Sequence, residues 1–302
     1  MRINWFPGHM HKAQKEIRQA VPKCSLIIEV LDARIPFTSE NPLVAELRGE
    51  TPTIKVLNKV DLADPKVTSM WLERLNSKEG VTAVEMQGNI SGRAKSLLQL
   101  GKRLLPKDRS DGKPITTMIL GIPNVGKSTI INTLAGRKIA KTGNIPAVTK
   151  QQQRIYIEQN FVLLDTPGFL WPRLTPHSCG FKLAVSGAIK DAVTEFEDLA
   201  FWAVRYLADN YPKELMERYN LDGLPDTEME ILTDIASNRG CLGKGGTVNL
   251  NKVSQVLVLD YRQAKLGRLS LETPLQVDHE LANAPPDESA KEKRIRKKKA
   301  RR

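Results

Sequence analysis

Gly121-Ile-Pro-Asn-Val-Gly126-Lys127-Ser128 is the stretch whose reading decides the fold. Every fixed position of G-x-x-x-x-G-K-[ST] is present. The segment lies between an apolar run, ITTMILG (115–121), that reads as a strand, and KSTIINTLAG (127–136), that reads as a helix. That context gives the pattern a mechanism. Glycines let the backbone curl until its N–H groups converge on phosphate oxygens, and the helix N-terminus adds a favourable field. Lys127 is placed to reach the β and γ phosphates. Ser128 supplies a hydroxyl for Mg²⁺, a hard cation that prefers oxygen. The expected nucleotide-binding set at this loop is Pro123, Asn124, Val125, Gly126, Lys127, Ser128 and Thr129.

Asp165-Thr-Pro-Gly168 closes the apolar run FVLLD, 38 residues beyond Lys127. An aspartate there can hold Mg²⁺ through a water, and the Gly168 N–H can sense the γ phosphate. Between the two motifs lies a polar loop, 142–149. Thr149 is the expected hydroxyl completing the Mg²⁺ shell when triphosphate is bound, with Thr142 as the alternative. Asn58-Lys59-Val60-Asp61 ends another apolar run and has the N-K-x-D spacing of a guanine pocket. Asp61 can accept from guanine N1–H and from the exocyclic amine, a donor pair that adenine lacks. Asn58 can reach the base edge and tie its loop to the phosphate loop. The Lys59 stem can cover the ring while its ammonium stays hydrated.

The order of these motifs is unusual. In a Ras-like chain the phosphate loop and DxxG come before NKxD, yet here Asp61 precedes Lys127 by 66 residues. Circular permutation is the simplest solution: strands are read 4-5-6-1-2-3, and PKDRSDGKP (106–114) joins the old C-terminus to the old N-terminus. Domain termini often lie close together, so such a join is tolerated. The permutation leads the DTPG loop directly into the C-terminal part of the chain, so nucleotide state can move that part.

Outward from these loops, strand and helix patterns alternate. LIIEVL (26–31), TIKVLN (53–58) and VTAVEM (81–86) read as strands, and 41–47, 65–77 and 94–105 as helices. Residues 152–165 read as a hairpin with Asn160 near its turn. Beyond about residue 180 the strand signal fades and helical stripes take over at 195–208, 212–219, 226–238 and 249–265, although VLVL (256–259) alone also permits a strand. The expected class is α/β: a circularly permuted Ras-like P-loop GTPase domain over 1–180, a mostly helical domain over 181–280, and a basic disordered tail over 281–302.

Forty-six Lys and Arg against 34 Asp and Glu leave a net charge of +12 on 302 residues. Lys291, Lys293, Arg294, Arg296, Lys297, Lys298, Lys299, Arg301 and Arg302, against the single acid Glu292, put +8 of it in 291–302, so residues 1–290 carry +4. A block of like charge repels itself and suits a polyanion. Nucleic acid fits best, because each neutralised phosphate releases counterions. Ile295 is the tail's one apolar side chain besides alanine, which argues against membrane; a solubilising tail is the bland alternative. Three distant cysteines give neither a disulfide framework nor a CxxC metal spacing, no run approaches a membrane span, and the N-terminus lacks a signal-peptide core. The expected compartment is the cytoplasm and the expected state a monomer.

With these residues in hand, the sequence resembles the ribosome biogenesis GTPase A family of circularly permuted bacterial and mitochondrial GTPases. The resemblance rests on Trp5-Phe-Pro-Gly-His-Met10, on Asp32-Ala-Arg-Ile-Pro36 with Asn41-Pro42, and on the NKVD, GIPNVGKS and DTPGFLWP motifs, with Gly187-Ala-Ile-Lys-Asp191 in support. It spans roughly residues 3–265. It implies a GTPase that binds the immature large ribosomal subunit and promotes a late assembly step, with its helical domain on ribosomal RNA. The family's usual guanine-closing Ser-Ala pair is missing from Glu85-Met-Gln-Gly-Asn-Ile-Ser-Gly92; either backbone N–H groups near Gln87–Asn89 serve the guanine carbonyl, or the closing loop lies elsewhere.

Hydrolysis needs an oriented water and neutralised charge. Many GTPases carry glutamine just after DxxG; here Phe169 and Leu170 stand in that place, and neither can polarise water. Slow intrinsic turnover, stimulated by a partner, is the expectation. The resemblance assigns water direction to His9, and it implies a K⁺ ion at Asn124 that offsets phosphate charge. The remaining alternative is an RNA-binding scaffold that keeps the nucleotide fold with little turnover; intact Lys127, Ser128 and Asp165 argue against it.

Overall fold

The computed structural model describes residues 15–87, 91–106, 114–140, 153–158, 160–168, 170, 174–191 and 194–284. Its frame is a six-stranded sheet of β1 (Leu26–Asp32), β2 (Thr53–Asn58), β3 (Val81–Met86), β4 (Ile115–Gly121), β5 (Gln153–Glu158) and β6 (Phe161–Asp165) in the order β3-β2-β1-β4-β6-β5. All neighbours are parallel except β5, which pairs antiparallel with β6. Counted from the phosphate-loop strand β4 as the first, the spatial order becomes 6-5-4-1-3-2, the Ras-like arrangement. The permuted reading of the chain therefore holds.

Burial explains the strand patterns. Every residue of β1, β2 and β6 is buried, as expected for parallel strands covered on both faces. β5 is one of the two edge strands, with Ile155 its buried residue and Tyr156 turned outward. The helices α1 (Pro36–Ser39), α2 (Pro42–Leu47), α3 (Pro65–Asn76), α4 (Ser91–Leu104) and α5 (Lys127–Ala135) belong to this sheet. Asp64 starts α3 by accepting from the Lys66 and Val67 N–H groups.

Strand register places the chemistry. Asp32 lies opposite Asn58, Val30 opposite Gly121, and Ile119 opposite Asp165. Four strands thus deliver their last residues to one edge of the sheet. β4 and β1 leave that edge in opposite lateral directions, which makes the crevice between them the expected ligand position of an open α/β sheet.

The helical part comprises α6 (Ser178–Val185), α7 (Phe196–Asn210), α8 (Pro212–Tyr219), α9 (Glu228–Asn238) and α10 (Leu250–Arg262). Leu199, Ala200, Ala203, Val204 and Leu207 form the buried stripe of α7, which packs against α6, α8, α9 and α10. VLVL is helical: Leu257 and Val258 are buried while Leu259 is exposed, which strand alternation would not give. One apolar cluster continues from the sheet into these helices. The chain then returns. Residues 266–272 run back to the sheet domain, and α11 (Pro274–Ala282) buries Val277 in a second cluster with Leu31, Leu57 and Trp71.

Candidate nucleotide site

β4 ends at Gly121, and the next residues curl into the start of α5. Gly126 has φ +95°, and a Cβ there would stand 2.2 Å from Asn58 Nδ2, so both backbone conformation and space demand glycine. No side chain caps α5, which leaves its first-turn N–H groups directed at the crevice. Pro123, Val125 and Lys127 are buried; Asn124, Ser128 and Thr129 are half-buried at the loop and first turn. Gly168 of the DTPG loop lies against this turn, since a Cβ on it would come within 3.2 Å of Pro123 Cα.

Lys127 Nζ is ion-paired with Asp165 Oδ1, and both side chains are buried. Asp165 Oδ2 is buried without a hydrogen-bond partner. Burial pushes the Asp165 carboxyl above its ordinary range, and the Lys127 ammonium opposes that rise. A buried carboxylate oxygen with no donor on Asp165 and a half-buried hydroxyl on Ser128, the residue after Asp165's partner Lys127, are hard-oxygen donors of the kind Mg²⁺ prefers. No group of three or more His, Cys, Asp or Glu among the described residues could cage a metal by itself. A Mg²⁺ shared with nucleotide phosphates needs no such cage.

The base loop is tied to the phosphate loop. Asn58 Nδ2 donates to the Val125 carbonyl at 2.8 Å, while its buried Oδ1 lacks a partner. Lys59 adopts φ +62°, a strained left-handed conformation for a residue with a side chain. It is held by a 2.9 Å ion pair to Asp32 Oδ2. Asp32 is also gripped in a fork by Arg34, through Nε at 2.9 Å and Nη2 at 2.8 Å. Burial alone would raise the Asp32 carboxyl, but the Arg34 and Lys59 charges hold it well below the usual carboxylate range. Asp61 is exposed at the end of this loop.

Asp32 and Arg34 entered the sequence reading through the DARIP stretch, without a physical role. Their role is local: together they clamp Lys59. The clamp extends to α6, because Arg34 Nη2 donates to the Ser186 carbonyl at 3.0 Å. The phosphate loop reaches the same place, since Asn124 Nδ2 donates to the Gly187 carbonyl at 2.8 Å. Arg262 at the end of α10 closes the junction. It donates to the Val185 and Ala184 carbonyls and pairs with Asp191 at 2.9 Å. Phosphate loop and helical part thus meet at residues 184–191, and the base loop reaches the same place through the Asp32–Arg34 pair. Composition offered no signal for this meeting; only the GAIKD stretch marked it.

His9, Thr142, Thr149 and Phe169 lie outside the described residues, as do Gly88 and Asn89 of the base-closing region and the basic residues 291–302. Gln87 is half-buried just beyond β3. His177 immediately precedes α6, and His279 lies on α11 near Asn283. No helix among the described residues is long and apolar enough to cross a membrane.

A six-stranded permuted sheet with a phosphate loop, a DxxG loop and an NKxD loop along one edge defines a circularly permuted P-loop GTPase, an enzyme that binds and hydrolyses GTP. The family described as 50S ribosome-binding GTPase matches residues 116–224. The chain is 41% identical over 289 residues to ribosome biogenesis GTPase A of Priestia megaterium, covering 93% of this chain and 100% of the relative. It is 31% identical to the Thermotoga maritima protein of the same name, over 90% of this chain and 95% of that one. It is 32% identical to mouse mitochondrial ribosome-associated GTPase 1, covering 89% of both. Among solved structures, GNP-bound YlqF from T. maritima superposes with a TM-score of 0.63 at 27% identity, over 87% of this chain and 98% of that one. The GDP-bound form gives 0.63 at 28%, over 86% and 99%. The chain belongs to the ribosome biogenesis GTPase A family, and it is a GTPase of ribosome biogenesis.

Proposed function

We propose that this GTPase binds the immature large ribosomal subunit in its triphosphate state and promotes a late step of assembly, with ribosomal RNA as the contacted surface. The observation that carries the reading is the junction at 184–191, where the phosphate loop is hydrogen-bonded directly through Asn124 and the base loop is linked through Lys59, Asp32 and Arg34 to the segment that opens the helical part. Nucleotide state therefore has a direct mechanical route to the helices. The relatives bear ribosomal names, and the basic residues 291–302 supply a surface for RNA phosphate. The compartment we propose is the cytoplasm, following the bacterial relatives.

In this mechanism Asp61 reads guanine, and Asn58 keeps that reading in register with the phosphates. Lys127 exchanges its Asp165 partner for the β and γ phosphates. Ser128, Thr149 and Asp165 would hold Mg²⁺, the last through water, and the ion would neutralise phosphate charge. The Gly168 N–H meets the γ phosphate. The Asn124 amide nitrogen is engaged with Gly187, and its oxygen is the atom a K⁺ ion would take. His9 directs the attacking water when the subunit docks. The domain reading, with 1–180 for nucleotide and 181–280 for RNA, belongs to this proposal.

The test is turnover with and without purified large subunits, in K⁺ and in Na⁺. Subunit stimulation that is larger in K⁺ and lost in His9→Ala, with subunit binding intact, is expected. A His9→Ala rate equal to wild type under single-turnover conditions with saturating subunits removes His9 from catalysis. Equal rates in K⁺ and Na⁺ remove the ion.

A further inference from the structure

Residues 266–272, Leu-Gly-Arg-Leu-Ser-Leu-Glu, carry no helical or strand periodicity, yet Leu266, Leu269, Ser270, Leu271 and Glu272 are all buried. Left-handed turns at Ala264 and Gly267 bring this strap back from α10 onto the base loop. Its residues then engage that loop in sequence. Arg268 donates through Nη2 to the Val60 carbonyl at 2.6 Å and through Nε to the Ala63 carbonyl at 3.1 Å. The Leu269 N–H donates to the Leu62 carbonyl at 3.1 Å. Ser270 Oγ accepts from the Asp64 N–H at 3.2 Å. Tyr211, at the junction of α7 and α8, accepts from the Ser270 N–H at 3.2 Å and donates to Asp64 Oδ2 at 3.3 Å. The Leu271 N–H donates to the Arg34 carbonyl at 2.8 Å.

We infer that the strap 268–271 holds the guanine-reading loop in its reading conformation, with Arg268 as a positioning residue for Asp61. The inference rests on residues 58–61 being that loop. The geometry is specific to Asp61. The Val60 carbonyl belongs to the peptide that enters Asp61 and the Leu62 carbonyl to the peptide one residue beyond it, and the strap holds both. Arg268 sets the peptide that enters Asp61, and Leu269 sets the one that leaves Leu62. The loop needs such support, because Lys59 occupies a left-handed conformation that persists only when surrounding contacts over-determine it. A carboxylate that must meet two donors on one base edge gains selectivity from fixed orientation, since a swinging carboxylate satisfies one donor almost as well as two. Base recognition is thus governed by a segment that continues from the helical part, although no strap side chain need touch the nucleotide.

The experiment measures affinities for GDP, for inosine diphosphate, which lacks the exocyclic amine, and for xanthosine diphosphate. The proteins are wild type, Arg268→Met, Arg268→Lys, Tyr211→Phe and Asp61→Asn. Loss of two charged donors in Arg268→Met weakens GDP binding by about tenfold, the scale of a hydrogen bond to a charged group. Inosine diphosphate weakens less, so the guanine-over-inosine ratio falls. KM for GTP rises while kcat at saturation stays, and Arg268→Lys recovers part of the ratio. Tyr211→Phe, which removes a single hydroxyl, shifts the ratio in the same direction and decides the matter if Arg268→Met does not fold. A guanine-over-inosine ratio unchanged in the folded variants, with Asp61→Asn switching preference to xanthosine diphosphate, overturns the positioning role while leaving the loop assignment intact. An Asp61→Asn protein that still prefers GDP overturns the loop assignment, and the positioning role with it.

Discussion

Gly126, Lys127 and Asp61 are the single residues on which the nucleotide reading can fail. Gly126→Ala adds a methyl group 2.2 Å from Asn58 Nδ2 on a left-handed backbone, so it must break the Asn58–Val125 tie or the turn itself. Loss of detectable GDP binding by fluorescence titration is expected, with the sheet's circular dichroism retained. Lys127→Ala should lose nucleotide binding or turnover, whereas Ser128→Ala should shift the Mg²⁺ requirement; normal hydrolysis by both variants contradicts the phosphate-loop assignment. Asp61→Asn replaces two matched acceptors with an amide and should favour xanthosine nucleotides, whose base presents a carbonyl at that edge. The phosphate and base motifs were legible because their chemistry fixes residue types at fixed spacing. The Asp32–Arg34–Lys59 clamp was not, because nothing in the sequence tells a buried ion pair from three surface charges. That clamp has a pH signature. The Asp32 carboxyl is held below its unfolded value, so its stabilisation is present at neutral pH and falls away as pH drops below about 4. Asp32→Asn leaves Arg34 and Lys59 without their counter-charge and should lower stability at pH 7 by about 3–5 kcal/mol. Melting curves should show the gap to wild type narrowing below that pH; a constant gap contradicts the assignment.

At the scale of elements, patterned segments were readable, and of the short helices α2 and α8 were read while α1, α6 and α11 were not. β1, β2, β4 and β6 announced themselves as apolar runs, and α7 and α10 as stripes. In one to three turns periodicity has little length in which to build, so such helices are read only where a few residues happen to carry the pattern. The cap of α11 was nonetheless visible in principle: Thr273 and Gln276 form a capping box. α6 escaped for a further reason. Its Lys182 is fully buried, paired at 3.3 Å with buried Glu272 and at 2.9 Å with Glu280, a position a sequence reading assigns to the surface. Burial pushes Glu272 above the ordinary carboxylate range, with Lys182 opposing. Lys182→Met should therefore cost about 3–5 kcal/mol at neutral pH, because buried Glu272 loses its counter-charge. A raised folded value means that Glu272 is accommodated better as pH falls, so this deficit should shrink in melts taken toward pH 5. A deficit independent of pH would place the loss in packing instead.

For the whole molecule, the permutation is what joins nucleotide and helices. An unpermuted chain would leave the DTPG loop inside the domain; here it leads through α6 to α7, and Arg34, Asn124 and Arg262 all converge on that passage. A glycine insert within 170–195 should uncouple the two parts, leaving GDP affinity near wild type while subunit binding loses its nucleotide dependence. The three cysteines report on global integrity: all are buried, and burial raises the Cys24 thiol to about 11 and Cys179 to about 12. They should stay unmodified by a thiol reagent until unfolding. Removing 291–302 takes away +8 of charge and should reduce the salt dependence of subunit binding, by at most about 0.9 for each phosphate no longer neutralised, without altering intrinsic turnover. The central claim is that guanine nucleotide state governs attachment to the large subunit. Its most direct test is cosedimentation with precursor large subunits in a non-hydrolysable GTP analogue, in GDP and without nucleotide, repeated for Asp61→Asn with the xanthosine analogue. Binding in the analogue alone, lost by Asp61→Asn with guanine and restored with xanthosine, is the expected result; equal sedimentation in every nucleotide state would contradict it.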